Sequence, residues 1–136
     1  MQQLADDLAK DSDIDVAYLF GSHAMGMATP LSDIDIGILL GEHVPREDYF
    51  NRRLYYIGRC TEGLRTDKVD VVILNDAPLL LAYEAVKNRK ILVERNSEHR
   101  VTFEVDRINR YLDFKPLLDV QVQYVKNQLA QGTYFD

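Results

Sequence analysis

The sequence lacks the features that mark exported, membrane-spanning and disulfide-stabilised proteins. Its single cysteine, Cys60, cannot form an internal disulfide. It has no run of about 18 apolar residues, so no membrane-spanning helix is predicted. The acidic N-terminus has no apolar stretch of the kind that signal peptides contain. We therefore expect a cytoplasmic protein that does not contact a membrane.

Internal repeats and low-complexity tracts are also missing from the 136 residues. That length predicts one domain, and it is enough to bury a core without cross-links. The net charge of -6 argues against general nucleic-acid binding, because phosphate backbones are also negative. The same charge would suit a site that collects divalent cations, or a basic protein partner.

Hydrophobic patterning predicts alternating helices and strands. The predicted helices cover 3–10, 46–61 and 78–88, and the predicted strands cover 15–20, 32–40, 69–74 and 90–93. From Ser97, a predicted N-cap, the chain reads as helical to about residue 130, with a break or kink at Pro116. This order predicts an α/β (α+β) fold with a mixed sheet of about four strands, flanking helices and further C-terminal helices.

Within that single domain we expect a core of residues 1–96 and a helical extension of residues 97–136. Two apolar stripes run along the extension, and such stripes usually pack on the protein's own core. The first stripe contains Val101, Val105, Ile108 and Leu112, and the second contains Leu118, Val122, Val125 and Leu129. The tail 121–136 also carries Tyr124, Tyr134 and Phe135. We hypothesise that part of it docks a partner or a second copy of the chain.

Asp33 and Asp35 form a pair of acids at the start of a predicted strand. Side chains two apart in a strand point to the same face, so the two carboxylates repel each other unless a cation lies between them. Oxygen ligands of this kind suit a hard cation. An Asp-x-Asp pair alone is more often a solvated strand entrance, and we interpret Asp13 and Asp15 in that way.

Asp70 strengthens the case for a metal site. It is the one charged residue in the predicted strand 69–74, and such a residue is rarely tolerated unless it is paired, binds a metal or lies at an edge facing water. If that strand lies beside the Asp33 strand, three carboxylates converge. They would then hold two cations at the roughly 4 Å spacing used in phosphoryl chemistry.

The turn that precedes the acidic pair adds groups that suit a phosphate. Gly21 lets the chain turn sharply after the strand 15–20, and Ser22 offers a hydroxyl and a backbone N–H. Most glycine–serine turns only connect elements. The value of this one lies in its fixed distance from the aspartates.

Gly21-Ser22, ten intervening residues and Asp33-Ile34-Asp35 resemble the G-S-x10-D-x-D signature of the DNA polymerase β-like nucleotidyltransferases. The fit covers about residues 10–95, and the short length is similar to that of the minimal nucleotidyltransferases (MNT). Within these, the chain resembles the antitoxins of HEPN/MNT toxin–antitoxin pairs, which add AMP to a tyrosine of the HEPN ribonuclease.

The resemblance implies a polymerase β-like fold, ATP as substrate and two Mg²⁺ ions. It implies that Gly21 and Ser22 hold the terminal phosphates of ATP, and that Asp33 and Asp35 bind both ions. Asp70 would bind the catalytic ion and help to deprotonate the acceptor hydroxyl. The implied partner is a HEPN-family toxin, in a possible homo- or hetero-oligomer. Many relatives carry arginines after Gly-Ser where this chain has His23, so phosphate neutralisation would come from metal, backbone or more distant cations.

Other readings stay open from the sequence. The acceptor could instead be a small molecule such as an aminoglycoside, or the chain could neutralise its partner by binding alone. His23 either touches substrate or is a solvated loop residue. Arg52, Arg53 and Arg59 lie opposite a predicted apolar helix face of Phe50, Leu54 and Ile57. They either meet phosphates or an acidic partner, or form the solvated side of the helix, which is the usual case. His43 and His99 are expected at the surface, and Cys60 is expected to be a small helix residue.

Overall fold

A computed structural model describes residues 1–29 and 31–131 of the chain. Its helices are α1 (Gln2–Ala9), α2 (Tyr49–Leu64), α3 (Leu79–Lys87) and α4 (Ser97–Gln131), and its strands are β1 (Ile14–Phe20), β2 (Ile34–Leu40), β3 (Val69–Ile73) and β4 (Lys90–Glu94). The strands form one sheet in the order β3-β2-β1-β4. β1 is antiparallel to β2 and β4, whereas β2 and β3 are parallel. The predicted mixed sheet of four strands with flanking helices is confirmed.

The sheet separates two hydrophobic cores. One lies under α1 and α2, and its buried side chains include Leu4, Leu8, Ile36, Ile38, Val71, Tyr56 and Cys60. The other lies under α3 and the first turns of α4, and includes Val16, Tyr18, Phe20, Leu39, Leu74, Ala82 and Phe103. Buried Cys60 is a small helix residue, as predicted. Since β1 is buried on both faces along its whole length, it forms the centre of the fold.

Helix α2 packs through a different face from the predicted one. Phe50 and Leu54 are exposed, and of the predicted apolar face only Ile57 touches the core. Tyr56 and Cys60 are the buried residues instead. The prediction was wrong because the side of the helix that carries the arginines faces the protein.

Each of the three arginines of α2 pairs with an acid from another element. Arg52 donates to Asp13 over 2.5 Å, Arg53 donates to Asp70 over 3.0 Å, and Arg59 forms a short ion pair with Asp7. The interpretation of this stripe as the solvated side of the helix is therefore wrong. Long guanidinium side chains reach acids on α1, before β1 and on β3 while their stems cover apolar surface.

Asp13 lies in the turn before β1, as expected, but neither Asp13 nor Asp15 is fully solvated. Asp15 belongs to β1 and is 8% exposed. It is 2.6 Å from Nδ1 of His99, which is thereby largely covered rather than at the surface. His43 is exposed, as predicted, and is 2.6 Å from Asp13. These pairs tie β1 to the loop after β2 and to the start of α4.

Helix α4 is one helix, not the two that a break at Pro116 would give. Proline removes one backbone hydrogen bond but does not prevent the helix from continuing on both sides. The N-cap is Asn96 rather than Ser97, because the Asn96 side chain accepts a bond from the backbone N–H of His99 over 3.0 Å.

Helix α4 packs on the sheet through its first turns. Phe103 and Glu104 are buried and Ile108 is half-buried, whereas Val101, Val105 and Leu112 of the predicted stripe are exposed. Of the second stripe, Val122 and Leu129 are exposed and Leu118 and Val125 are half-buried, since the helix continues past the core. Tyr134 and Phe135 of the proposed docking tail lie outside the described residues. Among the described helices, none combines the length and apolar character that crossing a bilayer requires.

A buried ionic cluster holds α4 to the sheet. Glu104 accepts a hydrogen bond from the Tyr18 hydroxyl over 2.8 Å, and it pairs with Arg89 and Arg100. Burial of the phenol, with the Glu104 carboxylate beside it, raises the pKa of Tyr18 far above its ordinary value. The cluster joins β1, the residue before β4 and the first turns of α4.

Candidate active site

Asp35 and Asp70 are direct neighbours across two parallel strands. The register of β2 and β3 pairs Asp35 with Asp70 and Ile36 with Val71. Ile36 and Val71 point into the core under α1 and α2, so both aspartates point to the opposite face. Adjacent strands are about 4.8 Å apart, which places the two carboxylates beside each other at one end of the sheet.

Asp33 lies just before β2 and is exposed. It acts on Asp35 through its charge. The pKa of Asp35 is raised above its usual range, first because the carboxyl is partly buried and then because Asp70 and Asp33 add negative charge nearby. The negative charges of the three acids therefore interact, and a positive charge placed among them would reduce their mutual repulsion.

Gly21 brings the turn after β1 against Asp35. Its φ of +73° lies in the left-handed region, which other residues rarely adopt. A Cβ atom built on Gly21 would be 2.3 Å from Oδ2 of Asp35. Phe20, the last residue of β1, pairs with Asp35 in the antiparallel register. A glycine is therefore needed at this position for two reasons, the backbone conformation and the approach of the carboxylate.

Ser22 and His23 complete a short 3-10 turn that begins at Gly21. The carbonyl oxygen of Ser22 accepts a bond from the N–H of Met27 over 2.9 Å, which folds the loop back on itself. A ring nitrogen of His23 is 3.4 Å from the carbonyl oxygen of Ser32. The loop thus stays beside the acids, with Ser22 at its start.

Arg53 is a part of this site that the sequence analysis did not identify. Its Nε donates to the carbonyl oxygen of Val71 over 2.7 Å, and its Nη2 donates to Oδ1 of Asp70 over 3.0 Å. The first bond covers the open edge of β3, and the second holds one oxygen of the Asp70 carboxylate. Three arginines on one helix were visible in the sequence, but nothing there indicated which acid each would reach.

The side chains at this end of the sheet offer carboxylate oxygens, the ligands that magnesium prefers. The carboxylates lie close enough to repel each other. Among residues 1–29 and 31–131, no three His, Cys, Asp or Glu side chains are already grouped as metal ligands. Asp70 is engaged by Arg53, and Asp33 is turned to solvent. Asp35 and Asp70 fit such a cation once Asp70 exchanges its bond with Arg53 for the ion, with Asp33 as the next oxygen donor.

Comparison with known proteins identifies both a family and a fold. The sequence profile of the polymerase beta nucleotidyltransferase family matches residues 2–98. No curated protein matches the chain. Among solved structures, a mutant of the toxin–antitoxin MntA-HpeT has a TM-score of 0.73 at 22% identity, over 93% of this chain and 98% of the other.

Two further solved structures bear on the chemistry of similar proteins. A toxin–antitoxin with AMP-PNP has a TM-score of 0.71 at 22% identity, over 92% of this chain and 98% of the other. The tri-AMPylated HEPN toxin of Shewanella oneidensis in complex with its MNT antitoxin gives a TM-score of 0.66 at 22% identity, over 93% and 99%. At this level of identity the likeness concerns the fold.

Proposed function

Because this chain belongs to the polymerase beta nucleotidyltransferase family, we propose that it transfers AMP from ATP to a hydroxyl group of a protein. The observation that carries the proposal is the register of β2 and β3, which sets Asp35 beside Asp70 while Gly21 approaches Asp35. Phosphoryl transfer depends on positioning and charge neutralisation more than on covalent chemistry, and this arrangement suits both needs.

The proposal assigns a role to each residue of the site. Gly21 and Ser22 bind the terminal phosphates of ATP, because the turn lies beside the acids and offers backbone and hydroxyl groups. Asp70 accepts the proton of the acceptor hydroxyl. The acceptor oxygen then forms a bond to the α-phosphorus, the bond from that phosphorus to the pyrophosphate oxygen breaks, and the proton passes from Asp70 to solvent. His23 lies beside Ser22, and the proposal assigns it no role.

Asp33, Asp35 and Asp70 would hold the Mg²⁺ ions that this chemistry needs. Bound there, the ions would supply positive charge against the phosphates and the leaving pyrophosphate. Arg53 holds Asp70 in place when no cation is present, and its own charge offsets that of the carboxylate. Burial raises the pKa of Asp35, and the negative charges of Asp70 and Asp33 raise it further, which supports this assignment.

The proposed acceptor is a HEPN-family toxin, which makes the chain an antitoxin. Support comes from similar structures, one with AMP-PNP and one in complex with a tri-AMPylated HEPN toxin. In this proposal residues 1–96 contain the catalytic groups, residues 97–136 form the extension that packs on them, and part of its tail 121–136 docks the toxin. The exposed apolar side chains along the second half of α4 are consistent with a surface that another protein covers.

The test is incubation of the purified chain with labelled ATP, Mg²⁺ and its cognate HEPN-family toxin. We expect label on the toxin, and we expect the Asp33→Ala/Asp35→Ala variant to transfer none. Label that survives the double substitution would rule out the assigned site. If a panel of hydroxylated small molecules takes up AMP and the toxin does not, the protein acceptor is wrong. If the inactive variant still neutralises the toxin at equal expression, the antitoxin acts by binding.

A further inference from the structure

A cavity of about 320 Å³ lies along the outer edge of β3 and reaches the candidate active site. Asp70 and Arg53 form its polar end, and Phe50, Pro78 and Leu81 line the rest with apolar surface. β3 is an edge strand, so nothing in the sheet covers this side. Any group that reaches Asp70 from the β3 side passes through this cavity.

The apolar lining of this cavity is unusually exposed. Phe50 is 67% exposed and Leu81 is 38% exposed, although both are large hydrophobic side chains. Phe50 belongs to the face of α2 that the sequence pattern predicted to be buried. Exposed apolar side chains grouped around a concave surface are typical of binding sites rather than of random surface.

A second cavity, of about 340 Å³, continues from the first. The two share Tyr49, Asp76 and Ala77 in their lining, and the second adds Arg46, Arg107 and Arg110. We call the two together the β3 groove. One end of the groove carries the acid Asp70, followed by the apolar side chains of Phe50 and Leu81, and its far end carries three arginines. Asp76 lies between the apolar part and the arginines.

The arginine end of the groove carries more positive than negative side chains. Arg46 is largely exposed, and its ion pair with Asp76 is long, at 3.9 Å. Arg107 and Arg110 share the single carboxylate of Asp106. Three guanidinium groups therefore face two carboxylates, in a chain whose net charge is -6. Guanidinium groups in this arrangement favour a carboxylate or phosphate on the ligand.

We propose that the β3 groove binds the acceptor protein as an extended segment and selects its sequence. The segment would place its hydroxyl beside Asp70, an apolar side chain against Phe50 and Leu81, and a carboxylate at the arginine end. The strand from Asp70 to Ile73 spans roughly 10 Å at 3.3 Å per residue, and a turn follows it. The carboxylate would therefore lie about three to five residues from the modified hydroxyl. This inference rests on the proposed function.

Steady-state AMP transfer to the HEPN toxin, with the KM for toxin and the KM for ATP measured separately, tests the apolar part. Phe50→Ala should raise the KM for toxin about tenfold, as expected when an aromatic anchor is removed, and leave the KM for ATP unchanged. Ile91→Ala is the matched control. Ile91 is an exposed apolar residue on β4, at the opposite edge of the sheet, and its removal should change neither value.

Salt dependence tests the arginine end. For the wild type, the KM for toxin should rise with added salt, because screening weakens the contact between charges. Arg46→Ala/Arg110→Ala should raise the KM for toxin about tenfold at low salt and flatten the salt response. Lys10→Ala, which removes an exposed charge beyond α1, should keep the wild-type response. Urea midpoints of all variants would show that each is folded.

The outcomes separate the two proposals. If the wild type transfers AMP and neither groove variant changes the KM for toxin, the β3 groove is wrong and the proposed function stands. If both KM values rise together, the variants act on the whole site and the groove assignment is also wrong. If the wild type labels no protein, the proposed function fails and the groove inference falls with it.

Discussion

Alanine at position 21 should damage the site far more than it damages the fold. Gly21 has a φ of +73°, and an alanine in the left-handed region costs about 1–2 kcal/mol of stability. The added Cβ would also lie 2.3 Å from Oδ2 of Asp35, well under the 3.0 Å at which such contacts begin to occur. The Asp35 carboxylate must therefore move by at least about 0.7 Å. Displacements approaching 1 Å in a catalytic group can cost about 100-fold in rate.

Gly26 provides the matched control for this substitution. Its φ is +70°, almost the same as that of Gly21, but no atom lies within 4 Å of a Cβ built on it. Gly26→Ala therefore carries the backbone strain without the collision with a carboxylate. Both variants should lose a similar 1–2 kcal/mol in urea unfolding, an order-of-magnitude figure for the left-handed conformation.

The assay is AMP transfer to the toxin under saturating ATP, with stability measured on the same preparations. We expect Gly21→Ala to lose about 100-fold or more in rate, and Gly26→Ala to stay within a few-fold of the wild type. If Gly21→Ala transfers AMP as fast as Gly26→Ala, the approach of the turn to Asp35 has no catalytic meaning.

Two further predictions concern stability. Glu104→Ala should cost about 3–5 kcal/mol in urea unfolding, because it leaves two guanidinium groups and the Tyr18 hydroxyl without their buried partner. Arg100 also pairs with Glu94 over 2.9 Å at the outer side of the cluster. Glu94→Ala, which breaks only this pair, should cost less than about 1 kcal/mol, and equal losses would contradict the role of the cluster. Hydrogen bonds from Arg59 to Asp7, and from His43 and Arg52 to Asp13, lower the pKa of both carboxyls. Because the folded-state pKa lies below the unfolded one, their contribution is complete above about pH 4 and is lost as the pH falls through the folded values. Urea midpoints from pH 7 to pH 2 should fall less steeply for Asp7→Asn/Asp13→Asn, and an unchanged acid limb would refute the assignment.

The sheet could be predicted because its signals are local. The period of two in β2 sets the face of Asp33 and Asp35, and the isolated charge of Asp70 marks its strand. The fixed spacing from Gly21 then indicates which end of the sheet carries the candidate active site. The first two inferences use residues within a few positions of one another, and the third uses a spacing of twelve positions, from Gly21 to Asp33.

The packing faces of the helices could not be read in the same way. In α2 the apolar residues Phe50 and Leu54 face outward, since arginines on the other side meet acids from distant parts of the chain. Arg59 reaches Asp7 across 52 positions, and Arg53 reaches Asp70 across 17. An apolar stripe shows that something is covered, but it does not show whether the protein's own core or another surface covers it.

The central claim, that Asp35 and Asp70 act together in one catalytic site, is tested most directly by a double-mutant cycle in AMP transfer. Asp35→Asn and Asp70→Asn keep the size of each side chain and remove its charge. Each should lower the rate by at least about 100-fold, and the double variant should be no slower than the worse single variant, because groups that act as a unit are not additive. Near-normal transfer by Asp70→Asn, or two losses that multiply in the double variant, would contradict it.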